Sequence, residues 1–150
     1  MIPSARARLT PPEFEKLLEW WGGTLSRLAE SLSGDARKQA YERFRSDVSL
    51  ELERNPLSAP ATYWLVVSSR GAGDLDGAWN AAVAGWIRAG AHQDSRQLRS
   101  ELEVFVMQTL IPERAQSRTG QRLDAKSTMT EIATLNEEWR TITTRWAGEG

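Results

Sequence analysis

The side chain in this sequence best suited to acid–base or metal chemistry is the only histidine of its 150 residues, His92. An imidazole beside a carboxylate can act as a general base or hold a metal ion. Asp94 and Glu101 are the nearest acids that follow it. His92 lies in a polar stretch between two predicted helices, where a solvated imidazole is the ordinary state. We therefore expect it to have neither role.

The acidic residues also give no sign of catalysis. Three pairs lie one or two residues apart: Asp74 and Asp76, Glu101 and Glu103, and Glu137 and Glu138. On a helix such neighbours do not share a face, so they cannot act as a pair of carboxylates. The sequence has no cysteine, and no glycine loop is followed by the Gly-Lys-Ser/Thr of a phosphate site. We predict no catalytic residue, no metal ligand and no cofactor, and hence no enzyme.

Charge is spread evenly along the chain. Residues 1–58 contain nine Lys or Arg and nine Asp or Glu, whereas residues 59–150 contain ten and eleven. Neither part has the basic excess that binds nucleic acid or an anionic membrane. No apolar run approaches the roughly 20 residues that cross a bilayer, and the first residues lack a secretory signal. We expect a cytoplasmic protein with no membrane partner.

Apolar residues at helical spacing predict a first helix over 11–32. Thr10 and Glu13 form a capping box at its start, and Pro11 suits the first turn. The apolar register continues through Gly22-Gly23, which favours one helix that is interrupted there. Asp35 is predicted to cap the second helix.

Asn55-Pro56 ends the second helix, and Ser58 with Pro60 starts a third over about 59–71. Asp74 is predicted to cap a fourth helix over about 75–90. Asp94 or Ser95 would cap a fifth.

The fifth helix carries one apolar face, and Ile111-Pro112 is predicted to break it. We expect the polar residues of about 113–126 to form a turn and a loop. A last helix over about 127–146 has apolar residues at alternating steps of three and four: Ile132, Leu135, Trp139, Ile142 and Trp146. That seam is typical of packing along another helix. No strand pattern occurs.

Seven tryptophans are many for this length, and three roles are open for them. Most are expected in a helical core, where each ring removes about 150–250 Å² from water. The alternatives are exposed anchors for a partner or the lining of a small-ligand pocket.

The segment 58–90 resembles one unit of the tetratricopeptide repeat (TPR) family. Gly73-Asp74 stands at the turn between the unit's two helices, Leu65 at an apolar position, and Ala78 and Gly85 at small-residue positions. The resemblance implies an antiparallel helical hairpin. It also implies that an extended peptide binds the inner face of the first helix: Tyr63, Val67 and Arg70.

Residues 10–45 resemble a helix-turn-helix DNA-binding motif. The resemblance implies two short helices within 13–32 and a third over 35–44. The third helix would present basic groups to DNA: Arg37, Lys38, Arg43 and Arg45. Nearby acids nearly cancel these charges, so we do not expect a nucleic-acid partner and keep DNA binding as an alternative function.

Together these patterns predict an all-α fold, with about six helices in a compact bundle that contains one TPR-like hairpin. One domain is predicted over 1–150. The function that we expect is a non-enzymatic protein–protein interaction module with a protein or peptide partner. A homodimer through the seam of the last helix is an alternative.

Overall fold

The fold is entirely helical in the residues that the computed structural model describes, 11–90, 96–118 and 125–145. These are the bounds of its α-helices: α1 Pro11–Glu30, α2 Gly34–Arg54, α3 Ala59–Gly71, α4 Leu75–Ala89, α5 Arg96–Phe105, α6 Ile111–Arg118 and α7 Ala125–Arg145. A π-helix, Val106–Leu110, joins α5 to α6 without a break. The all-α prediction is confirmed.

The chain divides into two compact units, Met1–Asp74 and Leu75–Gly150, which we call the N-terminal and C-terminal units. One domain over 1–150 stays a prediction. No helix of the described residues is long and apolar enough to cross a membrane.

In the N-terminal unit, α1 is one helix, as predicted, but it is not interrupted at Gly22-Gly23 and it ends at Glu30, two residues before the predicted end. The indole of Trp64 lies directly against the backbone of Gly22, so that a Cβ at this position would overlap the ring. Close packing of α3 on α1 therefore explains why residue 22 is a glycine, although glycine is unfavourable within a helix. The predicted cap Thr10 lies outside the described residues.

The start of α2 corrects one prediction. Its N-cap is Ser33, in extended conformation with φ −138° and ψ 161°, and Asp35 lies inside the first turn. Gly34 has φ +58°, a value that glycine adopts readily, and it makes the reversal after α1. The helix therefore starts two residues earlier than predicted, and the carboxylate of Asp35 still suits the positive end of the helix dipole. Its end at Arg54, before Asn55, is confirmed.

The ends of α3 follow the prediction. Ser58 Oγ accepts a hydrogen bond from the Ala61 backbone N–H at 3.2 Å, which is an N-cap. At the other end Gly73 has φ +88°, its N–H donates to the Arg70 carbonyl at 3.0 Å, and the Asp74 N–H donates to the Ser69 carbonyl at 2.9 Å. These two bonds define a Schellman motif and satisfy carbonyls that the helix end leaves without partners.

The core of the N-terminal unit is built on one face of α2. Tyr41, Phe44 and Val48 are fully buried there. Trp21 of α1 packs edge-on against Phe44, with ring centroids 5.7 Å apart, and Trp64 of α3 lies 5.9 Å from Phe44 on its other side. Phe44 therefore joins the three helices of this unit.

In the C-terminal unit, the prediction that Pro112 breaks the helix is wrong. The Ile111 N–H donates to the Val106 carbonyl, five residues back, in the π-helix immediately before Pro112. This wider turn shifts the hydrogen bonding, so Pro112 falls at the second residue of α6. The π-helix thus carries the chain without a break through Pro112, whose nitrogen has no N–H to donate. The same continuity places 113–118, predicted as turn and loop, in α6.

The last helix, α7, follows its prediction closely. It packs against α6, and Leu135 and Trp139 of the predicted seam are buried. Ile132 and Ile142 are half-buried. Trp146 lies outside the described residues.

Candidate functional site

A groove lies between α1 and α2 in the described residues of the N-terminal unit. It encloses about 410 Å³ and is lined by Leu25, Leu28, Ala36, Gln39, Ala40, Arg43, Phe44 and Asp47. We call it the α1–α2 groove. Its volume lies in the range typical of binding sites, about 300–1,000 Å³.

Small side chains on α2 create this groove. Ala36 and Ala40 fill little of the space beside α1, so Phe44 is exposed to the groove only at its floor. Leu28 stands on the α1 side with 57% of its surface in water. An exposed leucine alone is unremarkable, but one at the edge of an apolar groove extends a surface that a partner could cover.

Two carboxylates of α1 form hydrogen bonds that join this helix to the segments packed beside it. The Glu15 carboxylate accepts hydrogen bonds from Asn55 Nδ2 at 3.2 Å and from Ser58 Oγ at 2.7 Å. Near the other end, the Tyr41 hydroxyl donates to the Glu30 carboxylate. Burial, and next this hydrogen bond, raise the pKa of Tyr41 above 10.0. These three bonds tie α1 to α2, to the residue after α2 and to the N-cap of α3.

Charges on the rim are arranged differently from those elsewhere on α2. Arg43 and Asp47 stand one turn apart, both exposed, and neither forms an ion pair or hydrogen bond within 11–90, 96–118 and 125–145. The other arginines near them are engaged. Arg37 donates to the Leu32 carbonyl at 2.9 Å, and Arg45 forms an ion pair with Asp74 at 2.8 Å. The rim thus offers one positive and one negative group to a partner.

These contacts also bear on the helix-turn-helix resemblance. The two short helices that it implies within 13–32 are wrong, because α1 is one helix to Glu30. Arg37 and Arg45, two of the four expected DNA contacts, are held by the α1 carboxyl end and by Asp74. Their side chains are therefore turned to the protein.

The residues that the TPR resemblance implies for peptide binding lie outside the groove. Tyr63, Val67 and Arg70 share one face of α3, at steps of four and three. Tyr63 is half-buried, with its ring 5.1 Å from that of Trp64. Val67 is only 8% exposed, which leaves little of its side chain for a ligand. Their role in binding stays a prediction.

A stack of tryptophans and arginines forms a second site, in the C-terminal unit. Trp139 of α7 packs edge-to-face between Trp79 and Trp86 of α4, at centroid distances of 5.8 and 5.4 Å. The Arg114 guanidinium lies 4.9 Å above Trp79, and that of Arg99 lies 4.6 Å above Trp86. A cation thus covers each end of the stack, an arrangement that the ring quadrupoles favour.

The two arginines also bind polar groups of α4. Arg99 Nε and Nη2 both donate to the Trp86 carbonyl, at 3.1 and 2.9 Å, and Arg114 Nη2 forms an ion pair with Asp76 at 2.7 Å. Burial lowers the pKa of the Arg99 guanidinium below its ordinary value. These contacts join α4 to the continuous helix of α5 and α6. Such a stack is a structural element, because its rings cover one another and leave no space for a ligand between them.

The tryptophans therefore divide between core and surface much as expected. Of the six in the described residues, Trp79, Trp86 and Trp139 are buried, Trp21 and Trp64 are half-buried, and Trp20 is exposed. None of them lines the α1–α2 groove.

Metal-binding groups of three or more His, Cys, Asp or Glu are absent from the part of the chain that the structure describes. His92, with the predicted caps Asp94 and Ser95, lies outside it. Comparisons with known proteins give no family assignment: no protein-family model, no curated protein and no solved structure matches this chain.

Proposed function

We propose that this chain is a non-enzymatic protein-interaction module and that its α1–α2 groove binds apolar side chains of a partner helix. One observation carries the proposal: Leu28 stands 57% exposed at the edge of an apolar groove of about 410 Å³. Covering this surface would remove apolar area from water at about 25 cal/mol per Å².

A helical partner fits this site best. Amphipathic helices bind to other proteins by laying apolar residues at i, i+3 or i+4 into a hydrophobic groove. The groove runs between two helices and is open along α2 from Ala36 to Asp47. Arg43 and Asp47 would then set the direction of the partner helix, since they offer opposite charges one turn apart.

Affinity capture from the source cell tests the proposal. The tagged chain is compared with Leu28→Ser and with Leu57→Ser, a control whose leucine is equally exposed, at 58%, but lies outside the groove. We expect the wild type and Leu57→Ser to retain the same partner, a differently tagged second copy included, and Leu28→Ser to lose it. Equal retention by all three proteins, or by none, would exclude the groove as the binding site.

A further inference from the structure

The side of α2 that borders the α1–α2 groove has a regular pattern. Ala36, Ala40, Arg43, Asp47 and Leu50 follow one another at steps of four, three, four and three. At 100° per residue these positions fall within one face of the helix, next to the buried face of Tyr41, Phe44 and Val48. Leu50 is 53% exposed, and Arg43 and Asp47 are exposed as well. We call this face the α2 stripe.

We propose that a second copy of this chain occupies the α1–α2 groove, with the two α2 helices antiparallel about a two-fold axis near residue 45. The inference rests on the proposed function and names the partner of the same site. It follows from the order of residues along the stripe, which is complementary to itself when one helix is reversed.

The charges of Arg43 and Asp47 favour an antiparallel pair of α2 helices. In an antiparallel pair centred on residue 45, Arg43 of each copy faces Asp47 of the other, so the Arg43–Asp47 ion pair forms twice by symmetry. In a parallel pair, Arg43 would face Arg43 and Asp47 would face Asp47, which is repulsive. The two charges have no ion-pair partner within the described residues of their own chain, so this contact would give each of them one.

The sizes of Leu50 and Ala40 favour the same antiparallel arrangement. The same centre places Leu50 of one copy opposite Ala40 of the other. Ala40 lies in the α1–α2 groove, where the small side chain leaves space beside Leu25 and Leu28. The exposed leucine would thus enter the groove of its twin, as a knob enters a hole in packed helices. An unrelated helix would need both the leucine and the two charges in this order, whereas a second copy has them.

Charge reversal in purified protein tests this arrangement by sedimentation equilibrium at about 50 µM, in the range where many weak dimers form. We expect a dimer for the wild type. Arg43→Asp alone would set two carboxylates against each other, and Asp47→Arg alone two guanidiniums, so each should weaken the dimer about tenfold or more. The double variant Arg43→Asp/Asp47→Arg restores opposite charges and should dimerise again.

The decisive sample is an equimolar mixture of the two single variants. In a mixed pair every charge on one copy meets its opposite, so the mixture should form dimers that neither variant forms alone. Glu42→Arg, a charge reversal on an exposed residue away from the stripe, is the control and should remain dimeric. Circular dichroism checks that each variant is folded, and Leu50→Ser should also weaken the dimer.

Three results would overturn the inference: a monomeric wild type, single variants that remain dimeric, or a mixture that remains monomeric. The proposed function fails by a different result, namely capture of a partner that Leu28→Ser leaves unchanged. A monomeric wild type together with capture that depends on Leu28 would mean that the groove binds another protein.

Discussion

Trp64 lies flat against the backbone of Gly22, and this contact sets how closely α3 approaches α1. A Cβ at Gly22 would overlap Nε1, Cδ1 and Cε2 of the indole. At the neighbouring Gly23 a Cβ would meet only Arg27 Nη1 at 3.4 Å and Trp64 at 3.9 Å, which are ordinary contacts. Two adjacent glycines of one helix thus have different roles.

This difference predicts opposite effects of the same substitution. Gly22→Ala should lower the free energy of unfolding by about 1–3 kcal/mol, because the added methyl group must displace a packed indole. Gly23→Ala should raise it by up to about 1 kcal/mol through helix propensity. Urea denaturation of the two variants and the wild type measures both values. Equal effects would show that Trp64 does not pack on α1 in this way.

The Tyr41–Glu30 hydrogen bond predicts a loss of stability at alkaline pH. The raised pKa of Tyr41 means that folding favours the neutral phenol. Its contribution is complete below about pH 10 and is lost as the pH rises from there through the pKa of the folded state. Tyr41→Phe should cost about 1 kcal/mol at pH 7, because the bond is lost while Glu30 stays solvated.

Denaturation curves from pH 7 to 11 measure this effect. The wild type should lose more stability above pH 10 than Tyr41→Phe does, and Tyr63→Phe, which keeps the Glu30 bond, should behave like the wild type. An identical pH profile for Tyr41→Phe and the wild type would contradict the raised pKa.

Arg99 should not be replaceable by lysine. Its guanidinium donates two hydrogen bonds to one carbonyl near the end of α4 and also covers the ring of Trp86. A lysine ammonium has no planar fork that does both, so Arg99→Lys should cost about 1–2 kcal/mol. Arg96→Lys, at an exposed position of the same helix, should change stability by less than about 0.5 kcal/mol. Thermal denaturation of the two variants measures these losses of stability. Equal losses would show that the contacts of Arg99 do not stabilise the fold.

Substitutions in the groove and on the face of α3 that carries Tyr63 and Arg70 should affect partner binding differently. If the groove binds the partner, the double variant Tyr63→Ala/Arg70→Ala should retain it, whereas Leu28→Ser should lose it. The reverse result would favour the peptide-binding face that the TPR resemblance implies. Affinity capture with matched amounts of folded protein measures both in one experiment.

The sequence predicted the helices well because their signals are local. Ser58 as a cap, Asn55-Pro56 as an end and the apolar register of α1 each act within a few residues. Pro112 was misjudged because its fit depends on the π-helix before it, and apolar spacing contains no sign of that turn. Asp35 was predicted as the N-cap two residues after the actual cap, Ser33, because the positive φ of Gly34 at the helix start cannot be read from apolar spacing.

The sequence did not predict the α1–α2 groove, because the groove depends on how the two helices pack against each other. Leu25 and Leu28 belong to the apolar register of α1, and the sequence does not show that Ala36 and Ala40 leave part of this register uncovered. Arg99 and Arg114 likewise look like ordinary surface residues until α4 and α7 bring the tryptophans beside them. The sequence contains one weak indication of the groove, the two small residues Ala36 and Ala40 one turn apart on α2.

Photo-crosslinking from within the groove tests the central claim most directly. A photoreactive amino acid replaces Gln39 in the groove or, as a control, Glu53, an exposed residue on another side of α2. We expect an adduct with a partner protein or a second copy from position 39, which Leu28→Ser removes, and none from position 53. Adducts of equal yield from both positions, or none from position 39, would contradict it.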